Sequence, residues 1–142
     1  MTADEVIRHL DLHPHPEGGW FREVHRHTQP DGGRGSITSI YYLLKAGERS
    51  HWHRVTDAEE VWNFHAGAAL LIRMASPEGE VEMHRLGVDL SSGDLPQATV
   101  PTGWWQAAET TGAWTLVGCA VAPAFDFAGF EMAPPGWTPG AA

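Results

Sequence analysis

The chain predicts an all-β fold, a sandwich, jelly roll or barrel, preceded by one short helix. Three observations carry this. Ser36–Leu44 is dense in Ile, Thr, Ser and Tyr, the residues that fit a pleated, half-buried surface. Short stretches of the same kind recur at close intervals down the chain. Gly- and Pro-bearing turns separate them, as many short strands in an antiparallel fold require.

The elements follow in order. Thr2–Leu10 reads as a helix, because Thr2 and Glu5 have capping-box spacing and Val6, Ile7 and Leu10 form an apolar stripe. His13-Pro14-His15-Pro16-Glu17-Gly18-Gly19 ends it with an extended segment and a turn, since two prolines and two glycines break a helix. Trp20–His27 is a strand, and Gln29–Gly35 a Gly-rich loop. In Ser36–Leu44, period 2 places Ser36, Thr38, Ile40, Tyr42 and Leu44 on one face and Ile37, Ser39, Tyr41 and Leu43 on the other. Short strands follow at Ser50–Arg54, Val61–His65, Ala69–Ala75, Val81–Leu86 and Ala98–Val100, then Trp105–Ala108, Trp114–Val121 and Phe130–Met132. Turns fall at Ala46-Gly47, Pro77-Glu78-Gly79, Ser92-Gly93-Asp94, Pro101-Thr102-Gly103 and Thr111-Gly112. The tail, 134–142, is turn-rich and expected to fray. No repeat or linker is readable, so residues 1–142 are expected to form one domain.

Composition sets the surroundings. With 142 residues, 42% hydrophobic and 19% charged, the chain has the balance of a soluble globular protein. No apolar run approaches the ~18 residues of a membrane helix, so no membrane partner is expected. No signal peptide is readable at the N-terminus. The net charge of −9 and only nine scattered Lys and Arg argue against a nucleic-acid partner, whose phosphates need clustered cations. Cys119 is the one cysteine, set among Leu116, Val117, Ala120 and Val121. A buried, inert thiol and a cytoplasmic location follow as expectations.

Function is signalled by His51-x-His53, Glu60 and Pro101-x-Gly103-x-x-Gln106. Two histidines one residue apart on a strand should project both imidazoles from one face. Imidazole is both a metal ligand and the proton carrier near neutral pH. If Glu60 points inward, Trp62 and Phe64 share its face; Trp104 and Gln106 likewise share a side. The expected cavity has His51, His53, Glu60 and Gln106 among the aromatic walls Trp62, Phe64 and Trp104, with Glu23 a further candidate. An apolar lining with a few convergent polar groups is the composition of a small-molecule site. His9, His13, His25, His27 and His84 lack such context and are expected to be solvated.

The same residues carry a family resemblance. His15-Pro16-Glu17-Gly18-Gly19, Ser39–Leu44, Ser50–Val55, Glu60-Val61-Trp62 to Gly67, Val100–Gln106 and Val121–Phe127 resemble the cupin superfamily, in its branch of unknown function DUF985 (cupin-5). The likeness spans about residues 12–131. It implies a double-stranded β-helix, or jelly-roll barrel, an interior ligand site and a homodimer. The general cupin metal site takes two His and one Glu from Gly-x5-His-x-His-x3,4-Glu-x6-Gly and one His from a second motif. Here Glu60 to Gly67 keeps the gap, but six residues separate His53 from Glu60 and Gln106 stands at the last ligand position. Gln106 offers a neutral carbonyl, a weaker transition-metal ligand than imidazole.

Three functional classes follow. The first is a small-molecule-binding cupin without an obligatory metal, built on His53, Glu60 and Gln106. The second is a dioxygenase or isomerase holding a divalent metal (Zn, Ni, Fe or Mn) through His51, His53, Glu60 and Gln106. The third is a metal-free sugar or nucleotide-sugar epimerase with His53 as base and Tyr41 or Glu60 as acid. Fold alone does not choose among them.

Overall fold

A computed structural model gives the structure of residues 1–140. Residues 141 and 142 of the expected tail lie outside the described residues. Helix α1 (Ala3–Leu10) precedes strands β1 (His13–Pro14), β2 (Trp20–Thr28), β3 (Arg34–Lys45), β4 (Ser50–Val55), β5 (Glu59–Gly67) and β6 (Leu70–Ala75). Then come β7 (Val81–Leu86), β8 (Gln97–Val100), β9 (Trp105–Thr110), β10 (Trp114–Ala122) and β11 (Phe130–Met132). Two sheets result, in the orders β1-β2-β3-β10-β5-β8 and β11-β4-β9-β6-β7, with antiparallel pairing between neighbouring strands. From β3 to β6 the chain changes sheet at every step, as a jelly-roll barrel requires. The all-β expectation holds, and the expected strands fall within a residue or two of the observed ones.

Helix α1 starts where its cap predicts. Thr2 is the N-cap, and its side chain accepts a hydrogen bond from the Glu5 amide at 3.2 Å. Val6, Ile7 and Leu10 pack on Leu43, Trp20 and Trp114, closing the outer face of the six-stranded sheet. The inner faces meet in a core that includes Tyr42, Leu44, Trp62, Leu70, Ile72 and Met74. Burying each Leu or Ile here stabilises the fold by roughly 1.5–3 kcal/mol.

That core fills only part of the barrel. Along β3, Tyr42 and Leu44 are packed, whereas Thr38 and Ile40 line a cavity. Along β5, Trp62 and Phe64 join the core and Glu60 lines the cavity. Strand β10 repeats the division, with Val117 packed and Val121 lining. The register, Ile40 opposite Cys119 and Glu60 opposite Val121, brings these positions to one end.

One expectation needs correction here. The tail does not stand free over 134–140: Trp137 packs on Trp105 and Trp52, with ring centroids 4.6 and 5.9 Å away, because those indoles face out of the second sheet. The aromatic start of β2 is partly buried. Trp20 donates its indole N–H to Glu48 at 3.1 Å beneath the Lys45 ammonium, and Phe21 faces the cavity.

Candidate functional site

The site begins with a turn. Gly18 and Gly19, at φ +105° and +76°, bring the chain from β1 into β2 by conformations that L side chains rarely adopt. A Cβ on Gly18 would stand 2.1 Å from the Arg49 carbonyl oxygen, so this approach requires glycine. The His51 amide donates to the Glu17 carbonyl at 2.9 Å, and the Tyr42 hydroxyl donates to the Gly18 carbonyl. The turn is thereby tied to β4 and β3, and the Glu17 side chain is buried in the barrel.

Glu17 meets His53. Its Oε2 lies 2.6 Å from His53 Nε2, and both side chains are almost wholly buried. The other ring nitrogen, Nδ1, lies 2.7 Å from the His51 carbonyl, which only accepts, so Nδ1 carries the proton. The Phe130 ring stacks on the imidazole at 5.6 Å. Burial on its own would lower the His53 pKa, but the Glu17 charge and hydrogen bond, helped by Glu60, outweigh it and raise it to about 9. Burial likewise works to raise Glu17, and the His53 charge overcomes it, holding this carboxyl below its ordinary range. The pair is therefore imidazolium and carboxylate at neutral pH.

Beside it, Glu60 behaves oppositely. Burial raises its pKa to about 7, against the lowering by His53 and with support from the Glu17 charge. Its Oε1 accepts from Gln106 Nε2 at 2.9 Å, and Gln106 Oε1 accepts from the Trp62 indole N–H at 2.7 Å. Because an indole nitrogen only donates, Gln106 is held in one orientation and must donate to Glu60. Any proton on Glu60 therefore sits on Oε2, the oxygen Gln106 leaves free. Burial and the neighbouring Glu60 push the Cys119 thiol well above its ordinary pKa, so it stays protonated.

Glu17, His53, Glu60 and Cys119 line a cavity of about 400 Å³, within the size range of small-molecule sites. Phe21, Phe125, Phe127 and Phe130 supply aromatic walls, and Ile40, Val55 and Val121 supply aliphatic ones. His15 lines it too; burial lowers its pKa, and its Nδ1 accepts the Glu17 amide at 3.1 Å, so its ring is neutral. Arg22, Glu23 and Arg26 of β2 complete the lining, with Arg26 paired to Glu23 at 2.7 Å.

The chain belongs to the cupin superfamily. It matches the family described as Cupin superfamily (DUF985) over residues 4–133. This cupin is similar to a Shewanella oneidensis protein of solved structure, at 44% identity and TM-score 0.88, covering 94% of this chain and 85% of that one. It is also similar to a hypothetical protein from Leishmania major, at 31% identity and TM-score 0.82, over 92% and 86% of the two chains. An uncharacterized protein of Saccharomyces cerevisiae is 26% identical over 156 residues, covering 89% of this chain and 72% of that protein.

Within the cupin barrel the expected site residues divide. His53 and Glu60 line the same cavity, as does Glu23, and Gln106 braces Glu60 from behind. His51 is not with them. Its Nε2 lies 3.0 and 3.2 Å from the Ala133 and Pro134 carbonyls, because the β4–β9 register is irregular between Ser50 and His53 and period 2 fails there. Trp62, Phe64 and Trp104 belong to the core cluster and not to the cavity wall. Tyr41 packs on the helix side of β3, its ring 6.5 Å from His65, and so cannot serve as an acid in the cavity. His13, expected to be solvated, is exposed and also borders the cavity. Glu17 and His15 were not anticipated as site residues, although the turn that carries them was evident.

The donor set does not fit a metal. His51 faces the tail, both His53 nitrogens are engaged, and a ligating imidazole must be deprotonated. Gln106 is committed at both ends. Among the described residues no group of three or more His, Cys, Asp or Glu is arranged to hold a metal ion.

Proposed function

We propose that this cupin binds a small organic molecule inside its barrel and offers it proton-transfer groups, without a metal. One observation carries the reading: a buried His53–Glu17 ion pair and a near-neutral Glu60 line the same aromatic cavity. A small-molecule site needs an apolar body and a few fixed polar groups, and these side chains supply both. Native mass spectrometry or thermal-shift screening of metal-free protein tests it. Saturable binding that survives chelator and is lost in His53→Ala supports the reading; a strict requirement for added divalent metal overturns it.

Proton transfer on the bound molecule, as in an isomerase or epimerase, is the second reading. Its support is two cavity groups with separated pKa values, about 9 at His53 and about 7 at Glu60, the pattern that divides acid and base roles between neighbours. Glu60 takes the acid role through Oε2. The base is the Glu60 carboxylate formed by that transfer. The His53 imidazolium, with both ring nitrogens protonated, has no lone pair to accept a proton and acts only as a donor, so its expected role as base is dropped. The Tyr41 assignment is withdrawn. Solvent-deuterium incorporation into a bound ligand, lost in Glu60→Gln, is the expected signature; unlabelled ligand would reduce the role to binding.

We further infer a homodimer in the cytoplasm. Residues Glu23–Thr28 of β2 extend beyond β1, which pairs only with Trp20 and Phe21, and Val24 and Ile37 are exposed on this hairpin. An open strand edge with apolar neighbours favours pairing with a second copy. The buried lone cysteine suits a reducing compartment. Among the described residues no helix is long and apolar enough to cross a membrane. Light scattering at micromolar concentration should give twice 15.5 kDa.

A further inference from the structure

The cavity wall offers aromatic surface without aromatic polar groups. Four of the chain's five phenylalanines line it, whereas none of the seven tryptophans and neither tyrosine does. Phe125, Phe127 and Phe130 stand edge to face, with centroids 4.9–6.0 Å apart, and Phe130 also stacks on the His53 imidazole. Such rings, negative on the face and positive at the edge, take a further ring in offset or edge-to-face contact. A dry cavity of about 150 Å³ holds benzene, and this one offers about 400 Å³. A ring and a substituent fit.

The cavity's charges disfavour an ion of either sign. His53 is compensated by Glu17 at 2.6 Å, and Arg26 by Glu23 at 2.7 Å. Arg22 stands opposite Tyr41, and its Nη1 donates to the Leu10 carbonyl of α1, so its guanidinium is turned to the outer face. His15 is neutral, since its Nδ1 accepts the Glu17 amide. An anion entering here meets the Glu17 and Glu60 carboxyls, while a cation beside Glu60 meets the His53 imidazolium, whose charge already acts on that carboxyl. Stripping water from an ion is costly unless an unpaired opposite charge replaces it. An uncharged molecule avoids that cost.

Glu60 then selects the substituent. It projects from β5 in register with Val121, another lining residue. Gln106 holds its Oε1, and the one other side chain donating to this carboxyl among the described residues is the Cys119 thiol, a weak donor. Oε2 therefore keeps hydrogen-bonding capacity for a ligand. A hydroxyl both donates and accepts, so it pairs with Glu60 as carboxylate and as acid alike, whereas a carbonyl pairs only with the acid.

We propose that the ligand is an uncharged aromatic alcohol, its ring among Phe21, Phe125, Phe127 and Phe130 and its hydroxyl on Glu60 Oε2. Phe127 is 62% exposed and Glu60 is buried, so the hydroxyl occupies the inner end and the ring lies toward solvent. This inference rests on the interior-site reading above and narrows it to one chemical class.

Amide ¹H–¹⁵N titration of metal-free protein at pH 7 with five probes tests it: benzyl alcohol, toluene, cyclohexylmethanol, phenylacetate and benzylamine, the last a cation at this pH. Benzyl alcohol should bind about tenfold or more tightly than the two ions, and about threefold or more tightly than toluene and cyclohexylmethanol. Glu60→Leu should erase the advantage over toluene. Phe127→Ala, at an exposed position and so expected to fold, should weaken benzyl alcohol about threefold or more; with the wild-type series it carries the test should Glu60→Leu not fold. Phenylacetate or benzylamine binding as tightly as benzyl alcohol overturns the uncharged assignment. Equal affinity for toluene, or an advantage that survives Glu60→Leu, overturns the hydroxyl contact, and equal affinity for cyclohexylmethanol or an unchanged Phe127→Ala overturns the aromatic one. Each of these leaves the interior site standing. Silence from all five probes overturns the ligand class, and silence in a chemically broad thermal-shift screen overturns the interior site itself.

Discussion

At the scale of single residues, Glu17 decides the character of the site. His53 is buried, and an isolated buried imidazole would be neutral. The carboxylate 2.6 Å away reverses that and makes it a cation. Glu17→Gln leaves the ring without its counter-charge, so the His53 pKa should fall below 6.5 and stability should drop by about 3–5 kcal/mol, the usual cost of breaking a buried pair. Urea denaturation at pH 7 checks the second figure; a loss under 1 kcal/mol would mean that solvent already screens the pair. Little of this was legible in the sequence. His53 and Glu60 stood out by motif, whereas Glu17 sat inside a Pro- and Gly-rich stretch whose obvious meaning was a turn. The phenylalanine walls were equally silent, because Phe21 and Phe125–Phe130 are far apart in the chain and meet only through β3–β10 pairing.

At the scale of elements, period 2 explains most of what was foreseen and the one site residue misplaced on its own strand. In β3 and β5 the alternation holds, which puts Thr38, Ile40 and Glu60 inside. In β4 the irregular pairing between Ser50 and His53 turns His51 toward the tail, and no residue pattern announces such an irregularity. The β1–β2 turn is the other critical element, since it carries Glu17 on a backbone that only glycine adopts comfortably. Gly18→Ala must move the turn away from Arg49, given the 2.1 Å approach. We expect a loss of about 2 kcal/mol or more from the left-handed backbone and the clash, with a lower His53 pKa as Glu17 retreats. Gly103→Ala, also at positive φ but with nothing within 4 Å of its Cβ, is the control and should leave the His53 pKa unchanged.

At the scale of the whole molecule, the buried charges give the fold an acid-side stability optimum. The raised His53 pKa contributes stability that is complete below 6.5 and lost as pH rises through about 9. The raised Glu60 pKa acts in the same direction: its contribution is complete below 4.5 and lost as pH rises through about 7. Glu17, with a lowered pKa, contributes above 4.5 and loses that contribution as pH falls. Melting temperature should therefore peak near pH 5–6 and decline steadily to pH 9.5. Glu60→Gln keeps the acceptor for Gln106 and removes the ionisation. It should flatten the curve up to pH 7 and exceed wild type at pH 8 by on the order of 2–3 kcal/mol, while the decline toward pH 9 persists. A wild-type optimum above pH 8 would contradict both assignments.

The protonation state of His53 underlies the metal-free reading, the acid–base roles and the pH profile alike. Long-range ¹H–¹⁵N correlation of the histidine rings in metal-free protein reads it directly. His53 should show both ring nitrogens protonated at pH 7.5 and should titrate near pH 9, moving below 6.5 in Glu17→Gln. A His53 ring that is neutral at pH 7.5, with one bare nitrogen available to a metal, would contradict the account.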